Sequence, residues 1–138
     1  MTFNQTGSAT RTTLFAILGV SAFLAIAIML LPKGFNDDLS KIGQGIPAVV
    51  LVHDKGSMGS LNLMALLNKV RPDYTDKVKF IVVNINSKEG KMFREQHNID
   101  GIVLVLFSHK GIKRGTLANS NDEAELRSEL NKLSHEQS

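Results

Sequence analysis

The chain contains no cysteine in its 138 residues. That absence removes disulfides, zinc–cysteine sites and cysteine nucleophiles at once. It leaves the redox compartment open, because a cysteine-free domain is stable in oxidising and reducing surroundings alike. Charge of one sign is also scarce: sixteen basic and thirteen acidic residues leave a net charge of +3. Only Lys110, Lys113 and Arg114 lie close together, which reads as a solvated strand edge and speaks against a nucleic-acid partner. There is no internal repeat and no low-complexity tract. A hydrophobic content of 43% is ordinary for a folded protein, so a packed core is expected rather than disorder. Beyond an apolar N-terminal stretch, the length leaves room for one domain of roughly a hundred residues or less.

Residues 1–11 are polar and small and read as a flexible tail. Residues 12–31 (TTLFAILGVSAFLAIAIMLL) are uncharged and long enough, at ~1.5 Å per residue, to cross a hydrocarbon core of ~30 Å as a transmembrane helix. The competing reading is a cleaved signal peptide, whose apolar region normally runs about 7–15 residues to a small-residue cleavage site. This stretch instead continues through Met29, Leu30 and Leu31 to Pro32, so a retained anchor is expected. Arg11 precedes the span, while Lys33 and Lys41 follow it with Asp37 and Asp38 interleaved, so the charge rule barely decides the orientation. A short tail ahead of a single span usually stays in the cytoplasm. The expectation is therefore a single-pass protein of a bacterial inner membrane, its C-terminal domain in the periplasm or an equivalent lumen. Ala16, Gly19 and Ala22, and Ser21 with Ala25, are small residues at helical spacing that would admit a neighbouring helix closely. Residues 32–45, with Pro32 and three glycines, read as a linker with one helical turn.

From residue 46 the pattern becomes regular. Residues 48–52 (AVVLV) form a short β-branched apolar run, the pattern of a strand buried on both faces. Leu61, Leu63, Met64, Leu66, Leu67 and Val70 recur at helical spacing, which predicts a helix over 59–70 with a broad buried face, ended by Arg71 and Pro72. Residues 78–85 (VKFIVVNI) predict a second strand and 88–97 a short helix. Residues 102–107 (IVLVLF) and 112–117 predict a hairpin across Ser108–Gly111. Ser120, three residues before Glu123, suggests a capping box opening a last helix that buries Leu126, Leu130 and Leu133; a short tail, 135–138, follows. Helices between the early strands imply parallel crossovers, and the tight loop adds an antiparallel strand. The fold class is thus α/β, a mixed sheet flanked by helices on both faces and preceded by one transmembrane helix.

Over about residues 46–134 the chain resembles the thioredoxin family. The likeness lies in the strand at 48–52 running into a Gly- and Ser-rich loop and a long helix, in DKVKFIVVNIN at 76–86, and above all in NIDGIVLVLFSHKGIKRGTLANSNDEAELRSELNKL at 98–133. The resemblance implies a thioredoxin-like domain whose opening strand and helix are missing or reduced to 37–41. It also implies where a redox apparatus would stand. The family's Cys-x-x-Cys is replaced by Ser57-Met58-Gly59-Ser60, its buried carboxylate by Leu51 and its cis-proline by Val103. A helix N-terminus lowers the pKa of a thiol there, but not comparably that of a serine hydroxyl. A cis bond before Val103 would cost ~2.5–4 kcal/mol, so a trans peptide is expected.

His53, Asp54, Ser57 and Ser60 gather at the carboxyl end of the first strand, where open α/β sheets usually place ligands. His53 beside Ser57 offers a base–nucleophile pair in principle, but no nucleophile-elbow motif supports it. The loop 56–60 lacks the Gly-Lys-Ser/Thr ending of a phosphate-binding loop, and Ser57 or Ser60 is better read as a helix N-cap. His97, His109 and His135 have no metal-ligand spacing and read as surface residues. No cofactor and no metal are called for. The reading is a non-enzymatic accessory or scaffold subunit that docks a protein partner in a membrane complex or envelope assembly pathway, through a rim of His53, Ser57, Met58, Ser60 and Val103. The alternatives are a peptide-binding holdase that uses the former substrate groove and an enzyme that uses Ser57 and His53.

Overall fold

The structure is a computed structural model that describes residues 6–30, 34–118 and 122–136. The chain divides into two units, Met1–Gly34 and Phe35–Ser138.

Among its described residues the first unit contains one helix, α1, Thr6–Leu30. Within it Thr10–Met29 is long and apolar enough to cross a membrane, and none of it is buried by protein. Residues 6–11, expected as part of a tail, are helical: Thr, Gly, Ser and Ala carry no charge or proline that would stop the helix earlier.

The second unit is built on a four-stranded sheet. β1 (Ala48–His53) is buried at every position, as its run of β-branched and aliphatic residues requires. Fully removing such a side chain from water is worth about 1.5–3 kcal/mol. α2 (Met58–Val70) follows, and a 3₁₀ turn over Arg71–Tyr74, with Pro72 near its start, ends the run. Then come β2 (Lys79–Asn84), α3 (Lys88–His97), β3 (Val103–Phe107), β4 (Lys113–Ala118) and α4 (Glu123–His135). The strand order is β2-β1-β3-β4. β1 and β2 are parallel, whereas β1 pairs with β3, and β3 with β4, antiparallel.

The expectation of parallel crossovers between all the early strands therefore fails at α3. Asn98 stops that helix in the left-handed region, which Asn tolerates better than most residues, and Gly101 at φ +77° turns the chain again. β3 then enters on the far side of β1, running back. The last helix is capped by Asp122, whose carboxylate accepts the N–H groups of Ala124 and Glu125 at 2.9 and 3.3 Å. Ser120, expected as the cap, lies outside the described residues.

Two apolar layers result. Val49, Leu51, Leu63, Leu67, Val70, Leu104, Leu106, Leu126, Leu130 and Leu133 pack between the sheet and α2 with α4. Val50, Val52, Ile81, Val83, Phe93, Val105 and Phe107 pack between the sheet and α3. Residues from Phe35 onward, read as linker, are in part docked on this unit, Phe35 against the first layer and Leu39 and Ile42 against the second. The Asn36 carbonyl accepts the N–H of Val82 at 2.8 Å and makes one parallel bridge with Ile81. The Arg71 guanidinium lies 4.3 Å from the centroid of the Phe35 ring, and Asp38 caps a 3₁₀ turn over Leu39–Lys41. Gly43 at φ +80° then meets Gly111 at φ +82° so closely that a Cβ on Gly43 would stand 3.3 Å from the Gly111 Cα. Backbone bonds and three spaced apolar side chains, Phe35, Leu39 and Ile42, hold this stretch, a docking too irregular for hydrophobic periodicity to announce.

Candidate functional site

The candidate site lies where β1 hands over to α2. Asp54 makes the turn: its carboxylate accepts the Gly56 N–H at 3.1 Å and its carbonyl the Ser57 N–H at 3.1 Å. Ser57 is the N-cap, with extended backbone and Oγ accepting the Ser60 N–H at 3.4 Å. The choice between Ser57 and Ser60 as cap is thus settled for Ser57.

Ser60 does something else. It is fully buried, and its Oγ accepts the Asp54 N–H at 3.0 Å and lies 2.5 Å from Nδ1 of His53. His53, the last residue of β1, is 8% exposed. Alternation along the strand turns it to the α2 side, with Val49 and Leu51. Its pKa is held below the usual histidine value, chiefly by burial, with the neighbouring Lys55 acting in the same sense and Asp54 opposing. In the neutral ring that burial favours, Nδ1 accepts the Ser60 hydroxyl proton while Oγ accepts from Asp54, and both buried polar groups are satisfied.

This geometry separates the residues the sequence grouped. His53 and Ser60 are joined, but internally. Ser57 is joined to Ser60 through its cap, and His53 bonds to Ser60 rather than to Ser57. A hydroxyl without exposure reaches no substrate, so the arrangement buttresses the start of α2. Met58 stands 71% exposed on the first turn of α2. Val103 opens β3 next to the Leu51–Leu104 pair and is 7% exposed, so it shapes the core more than the surface. No cis peptide bond occurs among the described residues. Leu51, standing where the resemblance implies a carboxylate, is fully buried in the α2 layer among Leu63, Leu67 and Leu104.

Leu61, expected on the buried face of the helix, is 47% exposed. The buried residues of α2 are Ser60, Leu63, Leu67 and Val70, a three-four-three spacing. Leu61 falls off that stripe and onto the face of Met58, three residues earlier. The signal was present: positions 61 and 63 lie on opposite sides of a helix, so a helix with one buried stripe does not bury both. His97 was also misjudged as a surface residue. It is half-buried, its ring 4.6 Å from that of Phe93 and 5.1 Å from that of Phe107, and its pKa is lowered by burial and then by Lys113. Among the described residues no three His, Asp or Glu side chains are grouped as metal ligands would be.

No protein-family model matches the chain, and no curated protein matches it in sequence. Solved structures do match in fold. A thioredoxin of Malassezia sympodialis superposes with a TM-score of 0.61 at 17% identity, over 76% of this chain and 96% of that one. Thioredoxin O2 of Arabidopsis thaliana gives 0.58 at 17% identity, over 69% and 81%. A thioredoxin-like protein of Clostridium perfringens gives 0.62 at 13% identity, over 70% and 78%. The class is thereby defined: a thioredoxin-like fold. Within it, this chain carries no thiol at all and, ahead of the fold, one helix apolar enough to span a membrane.

Proposed function

We propose that this chain is a single-pass membrane protein whose thioredoxin-like domain is an accessory or scaffold subunit, docking a protein partner through the first turn of α2. The observation that carries the reading is the contrast at that turn. Ser57, His53, Ser60 and Asp54 are engaged with one another, in the Ser57 cap and in the His53–Ser60–Asp54 set, while Met58 and Leu61 are left exposed. Paired exposed apolar side chains on a rigid helix end suit docking, whereas catalysis needs a free nucleophile or base. His53, Ser57, Ser60 and Val103 then act as the support of the rim, and Met58 with Leu61 as its contact. The partner belongs to a membrane complex or an envelope assembly pathway, with the domain on the periplasmic side of a bacterial inner membrane or in an equivalent lumen.

The test is photocrosslinking in the cell from a benzoyl-phenylalanine placed at position 61 of the full chain. A discrete crosslinked partner, lost with Met58→Asp and kept with Ser57→Ala, supports docking. Crosslinks spread over many unfolded clients would favour the holdase instead, and loss of function with Ser57→Ala while the crosslink persists would reopen catalysis.

A further inference from the structure

The topology gathers basic residues that are scattered along the sequence. Ala48, which opens β1, pairs with Lys79, which opens β2, and with Phe107, which closes β3 and pairs in turn with Lys113. Lys110 stands in the turn between those last two, packed against Gly43, and Lys77 lies two residues ahead of Lys79, its N–H bonded to the Tyr74 carbonyl. Lys41 and Lys79 line one cleft of about 220 Å³ with Asn36, Phe80 and Ile81. Arg71 lies over the Phe35 ring beside them. The end of the sheet at which β1 begins is therefore basic.

The acids at this end are fewer. Asp73 and Glu123 are taken up by Arg127 and Lys69, and Glu136 by Arg114. That leaves Asp37, Asp38 and Asp76 against Lys41, Arg71, Lys77, Lys79, Lys110 and Lys113, and the Asp38 carboxylate already accepts the Ser40 N–H and hydroxyl at 3.0 and 2.6 Å. At the far end of β1, about 17 Å away at ~3.3 Å per residue, Asp54 balances Lys55.

The tether enters at the basic end. Asn36 bridges Ile81 in parallel, so Phe35 and Gly34 ahead of it lie toward Phe80 and Lys79. Residues 31–34 join Leu30 to Phe35, a reach of about 18 Å at most when fully extended, and Lys33 among them adds a charge. With Thr10–Met29 across a bilayer, this is the end that the tether delivers to the headgroup layer.

We propose that the basic end of the domain is a lipid-contact surface: it lies on anionic phospholipid headgroups of the bilayer that holds α1, with a headgroup phosphate between Lys41 and Lys79 and the Met58 turn directed away from the lipid. Each basic residue beside an anionic leaflet favours contact by about fivefold. The attraction decays within ~8 Å at physiological salt, so it acts on the side chains the tether brings close and not on those at the far end. The inference rests on the retained-anchor reading and not on the role given to Met58.

Because the chain has no cysteine, a single one can carry a fluorescent donor. The full chain is labelled through Gln44→Cys, at the basic end, or Asn62→Cys, on α2, both exposed positions. It is reconstituted in nanodiscs that contain headgroup-labelled acceptor lipid in phosphatidylcholine, with or without phosphatidylglycerol. Energy transfer from position 44 should rise severalfold with phosphatidylglycerol and fall back at about 0.5 M salt, with no rise at position 62. Lys41→Gln/Lys79→Gln should lower the ratio of docked to undocked domain at least tenfold, and Lys77→Glu/Lys110→Glu should do so through different side chains. Lys55→Glu/Lys88→Glu, the same charge change at the far end, should leave the ratio unchanged, as should millimolar glycerophosphoglycerol. Release by that soluble headgroup would make the ligand a free phosphodiester and overturn the proposal, as would a larger rise at position 62 or an equal loss with the far-end pair. A chain that fails to co-elute with the discs overturns the anchor reading and this surface with it, whereas a co-eluting chain with equal transfer in both lipids overturns the surface alone.

Discussion

At the scale of single residues, the buried Ser60 hydroxyl bonds to two groups, the Asp54 N–H and Nδ1 of His53, whereas Ser57 caps only one N–H of the helix. Removing Ser60 strands buried partners, at about 1–3 kcal/mol. Removing the cap costs ~0.5–2 kcal/mol. Ser60→Ala is therefore expected to lower the unfolding midpoint more than Ser57→Ala, in thermal or urea titrations of the full chain in detergent. The histidines add a pH dependence. His53 and His97 both have folded pKa values below the unfolded ~6.5, chiefly through burial, so between the folded value and 6.5 the unfolded chain binds more protons. Their contribution is complete above about pH 6.5 and is lost as the pH falls. His53→Gln, which keeps a side-chain amide to meet Ser60, should flatten that limb of the stability profile; an unchanged limb would mean that His53 is not buried neutral. None of this was legible in the sequence beyond the cluster of residue types. Which serine His53 meets depends on strand alternation combined with the helix phase, and a one-residue error in either reassigns the bond.

At the scale of elements, legibility followed the strength of the periodic signal. The run 48–52, the helix 88–97 and the leucines at 126, 130 and 133 fall where expected, because burial on both faces or on one stripe leaves a pattern. Strand direction does not: the turn to β3 rests on Asn98 and Gly101, where backbone conformation rather than hydrophobicity decides. The contact of α3 with β2 was likewise silent. A Cβ on Gly90 would clash with the backbone carbonyl of Asn84, so the glycine there secures approach in the first turn of a helix. Gly90→Ala should cost at least the ~1–3 kcal/mol of core overpacking, despite the better helix propensity of Ala, and should expose amides of α3 and β2 to hydrogen exchange together. α4 is tied down by charge as well as by leucine. Glu123 pairs with Lys69 at 2.5 Å and with Arg127 at 2.9 Å, and Arg127 reaches Asp73 at 2.7 Å. Lys69 and then Arg127 hold the Glu123 carboxyl below its usual range, so this stabilisation is present above the unfolded carboxylate pKa and fades as the pH falls through the lower folded one. Acid unfolding should show this second limb below the histidine limb, shared with Asp38, whose carboxyl is also lowered by its bonds to Ser40, and Glu123→Gln should shrink it while leaving the histidine limb in place.

At the scale of the whole molecule, the chain combines an apolar helix with a fold whose neighbours are thioredoxins, and it lacks the chemistry that such a fold usually positions. If α1 is a retained anchor, the protein stays in the membrane fraction after an alkaline carbonate wash; a soluble fragment beginning near Pro32 would indicate a cleaved leader instead. The missing chemistry can be tested by restoring part of it. Cysteines at 57 and 60 would place one sulfur at the N-cap of α2, where the helix dipole favours a thiolate, and the other in the buried position now held by the Ser60 hydroxyl. The second substitution also removes the acceptor of the Asp54 N–H and the partner of His53, so the loop loses part of its support as it gains a thiol. Leu51, fully buried among leucines, still offers no carboxylate to take up a proton, and Val103 does not reproduce the proline that the resemblance places opposite. His53, whose Nδ1 lies 2.5 Å from the Ser60 hydroxyl and whose pKa is lowered chiefly by burial, stands within reach of the new buried sulfur. Ser57→Cys/Ser60→Cys should therefore form an intramolecular disulfide yet reduce insulin far more slowly than a thioredoxin under the same conditions, and adding Leu51→Asp should raise the rate if the fold alone is otherwise competent. A double variant that already matches thioredoxin would show that the scaffold needs only its thiols, and that the apolar residue at position 51 does not limit the chemistry.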